Sequence, residues 1–264
     1  MKTADFFELR SILPEKTGTI VAIVGFFVLL SIWQAISMLG MIPRSLLPPL
    51  GAVFSSFKEL HFEDALIRNA LYSIKLNVLG YIEAIVISIP VGMAMGLFPV
   101  IRSATNAYIK ALRFLPLAAV TGLFIAWFGI DDNMKIQFLA VSIIVYLIPV
   151  VIQRVDDVET VYLQTAHTMG ASKLQTILYV FWPSIRSKII DDIKVLVAIS
   201  WTYITIAEAL NMSAGGIGAL AVKCGRQSRV DKVFAVLLVI ILIGFIQDRL
   251  FYFIDKKVNP HKYV

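Results

Sequence analysis

The sequence predicts an all-α, polytopic membrane protein with about six transmembrane helices, and three observations carry that reading. First, 58% of the 264 residues are hydrophobic and only 16% are charged, a balance outside the range of ordinary soluble domains. Second, uncharged or nearly uncharged runs recur at the length needed to cross a hydrocarbon core of about 30 Å, roughly 20 helical residues. Third, these runs are continuously apolar, whereas barrel strands need apolar/polar alternation with a turn about every ten residues.

In chain order the runs cover residues 19–39, 76–98, 114–130, 136–153, 195–211 and 233–253. The first is long and is not followed by a small-residue cleavage site and a polar domain, so it reads as a retained helix and not as a signal peptide. No Gly/Ser linker, low-complexity tract or internal repeat interrupts the pattern. The organisation is one integral domain at 19–254, between cytoplasmic tails at 1–18 and 255–264, with a polar inner loop at 154–192 and an outer loop at 43–68. With both termini inside, the inner segments hold most of the 24 Lys and Arg residues, Lys110 and Arg113 among them, as the positive-inside rule requires. The last outer loop breaks the rule locally, setting Lys223, Arg226, Arg229 and Lys232 against Asp231. A basic outer loop of this kind attracts anions.

Several chemistries are excluded by inventory. A single cysteine, Cys224, forms no internal disulfide, and no zinc-ligand spacing occurs. His61, His167 and His261 are scattered over loops, and the apolar runs lack a Ser/His or paired-aspartate constellation for an intramembrane enzyme. The net charge of +6 has no aromatic-interleaved basic domain to carry it, so it points to loops at a lipid surface and not to a nucleic-acid partner.

The inner loop holds a helical hairpin. Asp156, Asp157 and Glu159 favour a helix start, and that helix runs to about Met169, where Gly170 supplies a left-handed stop. Ser172 with Gln175 forms a Ser-x-x-Gln capping box, followed by Leu174, Ile177, Leu178, Phe181 and Trp182 at helical spacing. Pro183 is expected to end this second helix. Flanked closely by spanning helices, the hairpin cannot reach a DNA groove; it either packs under the bundle or docks a cytoplasmic partner.

Here the chain resembles the permease subunits of binding-protein-dependent ABC importers. That family carries an inner-loop motif of Glu-Ala-Ala, three residues and Gly, then Leu-Pro some twelve residues on. Gln164, Thr165 and Ala166 stand at the Glu-Ala-Ala positions, Gly170 at the turn, and Trp182 and Pro183 at Leu-Pro. Ala207, Glu208, Ser213, Gly216 and Gly218 preserve most of a second pattern, Ala-Glu followed by Ser-x-Gly-x-Gly, which resembles the nitrate, sulfonate, taurine and bicarbonate branch.

The resemblance implies a type I importer permease whose hairpin is a coupling element for a separate ATPase, with Gln164, Thr165, Ala166, Gly170, Ala171, Ser172, Leu174 and Pro183 as the coupling residues. It implies no cofactor on this chain, with ATP and Mg used by the ATPase; the chain has no phosphate loop of its own. It further implies an extracytoplasmic solute-binding protein, a second permease chain, most simply a homodimer, and a bacterial cytoplasmic membrane.

Two carboxylates lie at membrane depth, Glu83 in the second run and Glu208 near the outer end of the fifth. Ionisable groups there usually face a cavity or a partner. Glu208, with Ser213, Gly216 and Gly218, is assigned to the pathway or its outer gate; Glu83 is a second pathway candidate, to which Lys75 or Asn77 offers a quiet structural partner. Pro90, Gly92 and Gly96 read as a close-packing stretch. The competing function is an ion-coupled carrier using Glu83 and Glu208 as proton sites.

Overall fold

The computed structural model describes residues 13–262, and every regular element among them is helical. Residues 1–12 and 263–264 of the expected tails lie outside the described residues. In chain order the helices are α1 (Glu15–Met38), α2 (Leu50–Phe62), α3 (Leu66–Leu97), α4 (Pro99–Leu112), α5 (Thr121–Phe128), α6 (Asp132–Asp156), α7 (Thr160–Thr168), α8 (Lys173–Thr176), α9 (Trp182–Leu210), α10 (Ile217–Arg226) and α11 (Val230–Val258). Five helical spans are long and apolar enough to cross a bilayer, and the bent pair made by α4 and 117–128 brings the number to six.

The centre is the α3–α6 seam. Small residues on α3, namely Ser73, Gly80, Ala84, Ser88 and Gly92, are buried along one face, and α6 contributes Leu139, Ile143, Leu147, Val151 and Val155. The backbones approach so closely that a Cβ on Gly92 would lie 2.6 Å from Val151 Cβ and 3.2 Å from the Ile148 carbonyl. Small-residue packing of this kind holds helices together where lipid offers no hydrophobic drive. α9 packs on the other side of α6 through Ile185, Ile189, Ile193, Val197 and Ile204. α1 has no buried membrane window and is fastened through its second half: Trp33 Nε1 donates to the Pro48 carbonyl, Gln34 Oε1 accepts from Leu50 N, and the Trp33 ring lies 4.8 Å from Phe234.

Three elements differ from the sequence reading. The second crossing begins at Leu66, ten residues early, because Asn69 and Ser73 turn inward to bond the chain itself. The expected outer loop at 43–68 contains α2, whose Val53, Ser56 and Leu60 are buried against α11. The expected third run at 114–130 is only the second half of a broken crossing: Pro116 cannot donate and pushes Leu115 out of helical geometry, and α4 meets the 117–128 helix at 88°. Lys110 and Arg113 therefore ride on this crossing and not in an inner loop.

Candidate coupling hairpin and far-face turn

The hairpin closes as its residues dictate. Gly170 sits at φ +73°; its N–H donates to the His167 carbonyl and that of Ala171 to Ala166, each at 3.0 Å, the paired bonds of a glycine C-cap. Two residues later the capping box forms in both directions: Ser172 N donates to Gln175 Oε1 at 2.8 Å and Gln175 N to Ser172 Oγ at 3.4 Å. Both turns are thus fixed locally.

Pro183 does not end the second helix. A π turn over Ile177–Phe181 joins α8 to α9, so the helix is continuous from Lys173 to Leu210, 38 residues. Trp182 N donates to the Ile177 carbonyl, and Ser184 Oγ donates to the Val180 carbonyl at 2.6 Å. The widened turn makes room for the proline ring that a regular helix would exclude.

The structure brings most of the predicted coupling residues to one place. A recess of about 500 Å³ is lined by Tyr162, Thr165, Ala166, Gly170, Ala171, Gln175 and Tyr179, among others. Gln164, Ser172 and Leu174 are exposed beside it, Ala166 is buried, and Pro183, also exposed, lies one turn beyond Tyr179 along the helix. Exposed apolar groups surround it: Met169 is 81% exposed, Tyr179 76% and Leu174 65%. Exposed apolar clusters of this kind mark interaction surfaces.

At its far end the same continuous helix carries Glu208, which is wholly buried. Oε1 accepts from Ser73 Oγ at 2.6 Å, and Oε2 from Gly218 N at 2.8 Å. Ser73 Oγ accepts from Ile217 N, and Asn69 Oδ1 from Gly216 N, each at 2.8 Å. The turn 211–216 and the start of α10 are therefore clasped by α3 and α9. Gly216, at φ +112°, lies so close that any Cβ would collide with the Glu208 carboxylate, and one on Gly218 would lie 2.5 Å from Thr205 Cα. Ser213 stays exposed, its hydroxyl donating to Asn211 Oδ1 at 2.6 Å.

The expected polar cavity beside Glu208 is not what encloses it. The Gly218 amide and the Ser73 hydroxyl each hold one of its two oxygens inside the chain. Glu83 is half-buried and accepts from Gln137 Nε2 at 2.9 Å. Its partner comes from α6; Asn77 instead lies at Ser200, and Lys75 is 4.0 Å from Asp132.

Two ionic arrangements were not legible in the sequence. Lys135, one residue before the fourth apolar run, is fully buried; its Nζ donates to Tyr72 OH at 3.2 Å, and that hydroxyl donates to Asp132. On the same far face the basic loop is largely neutralised. Asp64 binds Lys232 at 2.7 Å and Lys223 at 3.0 Å, and Arg229 binds Glu59 and Asp231, each at 2.8 Å. Burial pushes the Asp64 carboxyl up, but its bonds to Lys232 and Lys223 outweigh burial and hold it below the usual range. Arg226 has no ion pair among the described residues. The expected anion attraction of this loop is correspondingly reduced.

Comparison with known proteins settles the family. Residues 85–260 match the model of the binding-protein-dependent transport system inner membrane component. The chain belongs to this family. The permease is 26% identical over 238 residues to the taurine transport system permease protein TauC of Escherichia coli, covering 88% of this chain and 86% of that one. It is 30% identical over 216 residues to a provisionally named ABC transporter permease of Methanocaldococcus jannaschii, covering 80% and 81%. The fold of the permease matches the inward-facing MetNI methionine ABC transporter with a TM-score of 0.63 at 17% identity, over 73% of this chain and 94% of that one.

Proposed function

We propose that this permease is the membrane subunit of an ATP-driven importer, forming a passive path for a small anion of the nitrate, sulfonate or taurine type. Two copies surround one path. The hairpin face is cytoplasmic, as are both termini, and the far face meets an extracytoplasmic solute-binding protein. ATP and Mg are used by a separate ATPase seated on the hairpin recess. The taurine permease among its relatives supports the substrate class, and the match to importer permeases supports the partners.

The observation that carries the mechanism is mechanical continuity. The hairpin runs without a break into the helix Lys173–Leu210, about 57 Å long at 1.5 Å per residue, and Glu208 in its last turn holds the start of α10 through the Gly218 amide. A displacement of the hairpin is delivered along one rigid element to the opposite face, where a flexible loop would absorb it.

The test is Gly170→Val. No atom of this chain crowds a Cβ there, so the effect is confined to forcing a β-branched residue to positive φ, a strain of about 1–3 kcal/mol. The expected result is a membrane-inserted chain with uptake uncoupled from ATP hydrolysis. Normal uptake together with normal ATPase co-purification counts decisively against the docking role.

A further inference from the structure

The broken third crossing sets two cations at the middle of the membrane. Its depth follows from its neighbours. Arg102 pairs with Asp156 at the hairpin-face end of α6, and Ile109 packs on Met95, Ile148 and Ile152. One turn on, Lys110, Arg113 and Phe114 share a recess of about 370 Å³ with Tyr146. At 1.5 Å per residue, Tyr146 stands roughly 15 Å from the Asp156 end of α6 and roughly 21 Å from its Asp132 end, near the bilayer midplane.

Lys110 and Arg113 are both exposed on this chain, and among the described residues neither forms an ion pair. Asn106, Lys110 and Arg113 follow at i, i+4 and i+7, so they share one face of the crossing. Phe114, 88% exposed, stands beside them. Unpaired charges at this depth are too costly to face hydrocarbon and are found against water-filled cavities. The face therefore borders an aqueous space that this chain does not itself enclose.

We propose that the Lys110/Arg113 recess is a midway subsite for a small organic anion, the two cations holding its charged head while Phe114 and Tyr146 flank its carbon chain. The inference rests on the permease reading and names the element that selects charge. The far-face loop is poorly suited to that task, because Asp64, Glu59 and Asp231 already occupy Lys223, Arg229 and Lys232, leaving only Arg226 without an ion pair among the described residues.

The test uses the complex of permease and ATPase in membranes. Cys224 is the single native cysteine and is buried, so Asn106→Cys places one reactive thiol on the face in question. The probes are two methanethiosulfonates, one bearing a sulfonate and one a trimethylammonium group. Both are expected to react, and adding Lys110→Gln and Arg113→Gln is expected to lower the anionic-to-cationic rate ratio on the order of tenfold. In proteoliposomes with the solute-binding protein, the same two substitutions are expected to depress uptake of taurine and ethanesulfonate while stimulated ATP hydrolysis persists. A thiol inert to both reagents, or a rate ratio indifferent to the two cations, overturns the subsite even when the ATPase co-purifies. Failure of the unsubstituted chain to bind any ATPase overturns the permease reading itself.

Discussion

Glutamine and alanine at position 208 separate the charge of this buried group from its hydrogen bonding. In Glu208→Gln the amide oxygen can take the Gly218 N–H, now 2.8 Å from Oε2. The new NH₂ then faces Ser73 Oγ, whose hydrogen can turn to the Asn69 carbonyl at 3.1 Å while its second lone pair accepts. The clasp survives at a cost of about 1 kcal/mol. Glu208→Ala leaves the Gly218 N–H without an acceptor, about 1–3 kcal/mol, and opens a void where the side chain stood, for a total of about 3–5 kcal/mol. Membrane abundance, thermal stability of the purified complex and solute uptake are the readouts. The glutamine variant is expected to stay near the parent in all three and the alanine variant to fall in all three. Loss of uptake by Glu208→Gln at normal abundance and stability would instead place the charge in the transport path.

Gly92→Leu is expected to lower the thermal stability of the complex, since overpacking the α3–α6 seam costs about 1–3 kcal/mol or more; an unchanged melting temperature contradicts the close approach to Val151. Asp64→Asn is expected to weaken the far-face clasp, because Lys232, only 6% exposed, loses the nearer of its two charged partners and keeps only Glu59 at 3.2 Å. The sign of its pH dependence follows from the lowered carboxyl: its contribution is present above the unfolded value near 3.9 and is lost as pH falls through the lower folded value. Acid melting curves of parent and variant should therefore converge below about pH 4, and a constant gap down to lower pH would show that Asp64 titrates elsewhere.

What the sequence made legible was local. The capping box Ser172–Gln175 and the positive φ of Gly170 need only neighbours within a few residues, and both stand as read. The five long spans follow from unbroken apolar runs. Pro183 misled because a proline stop is a rule for regular helices, and the turn before it is a π turn that carries the helix through. The third crossing was misplaced for a related reason. Basic residues ordinarily mark loops, so Lys110 and Arg113 hid the helix Pro99–Leu112. The partners of Glu208, Asp64 and Lys135 come from residues 60 or more positions away in the chain for the most part, and no local pattern encodes them.

In the proposed mechanism the hairpin, the continuous helix and the far-face turn move as one body. It is tested by the number of solute molecules imported per ATP hydrolysed, measured in proteoliposomes containing permease, ATPase and solute-binding protein. Softening the link between hairpin and membrane with Ser187→Gly and Lys188→Gly, in α9 beyond the recess, leaves the Gly170 and Ser172 turns and the Glu208 clasp in place. ATP hydrolysis is expected to continue while import per ATP collapses. Import per ATP equal to that of the parent would contradict this mechanism.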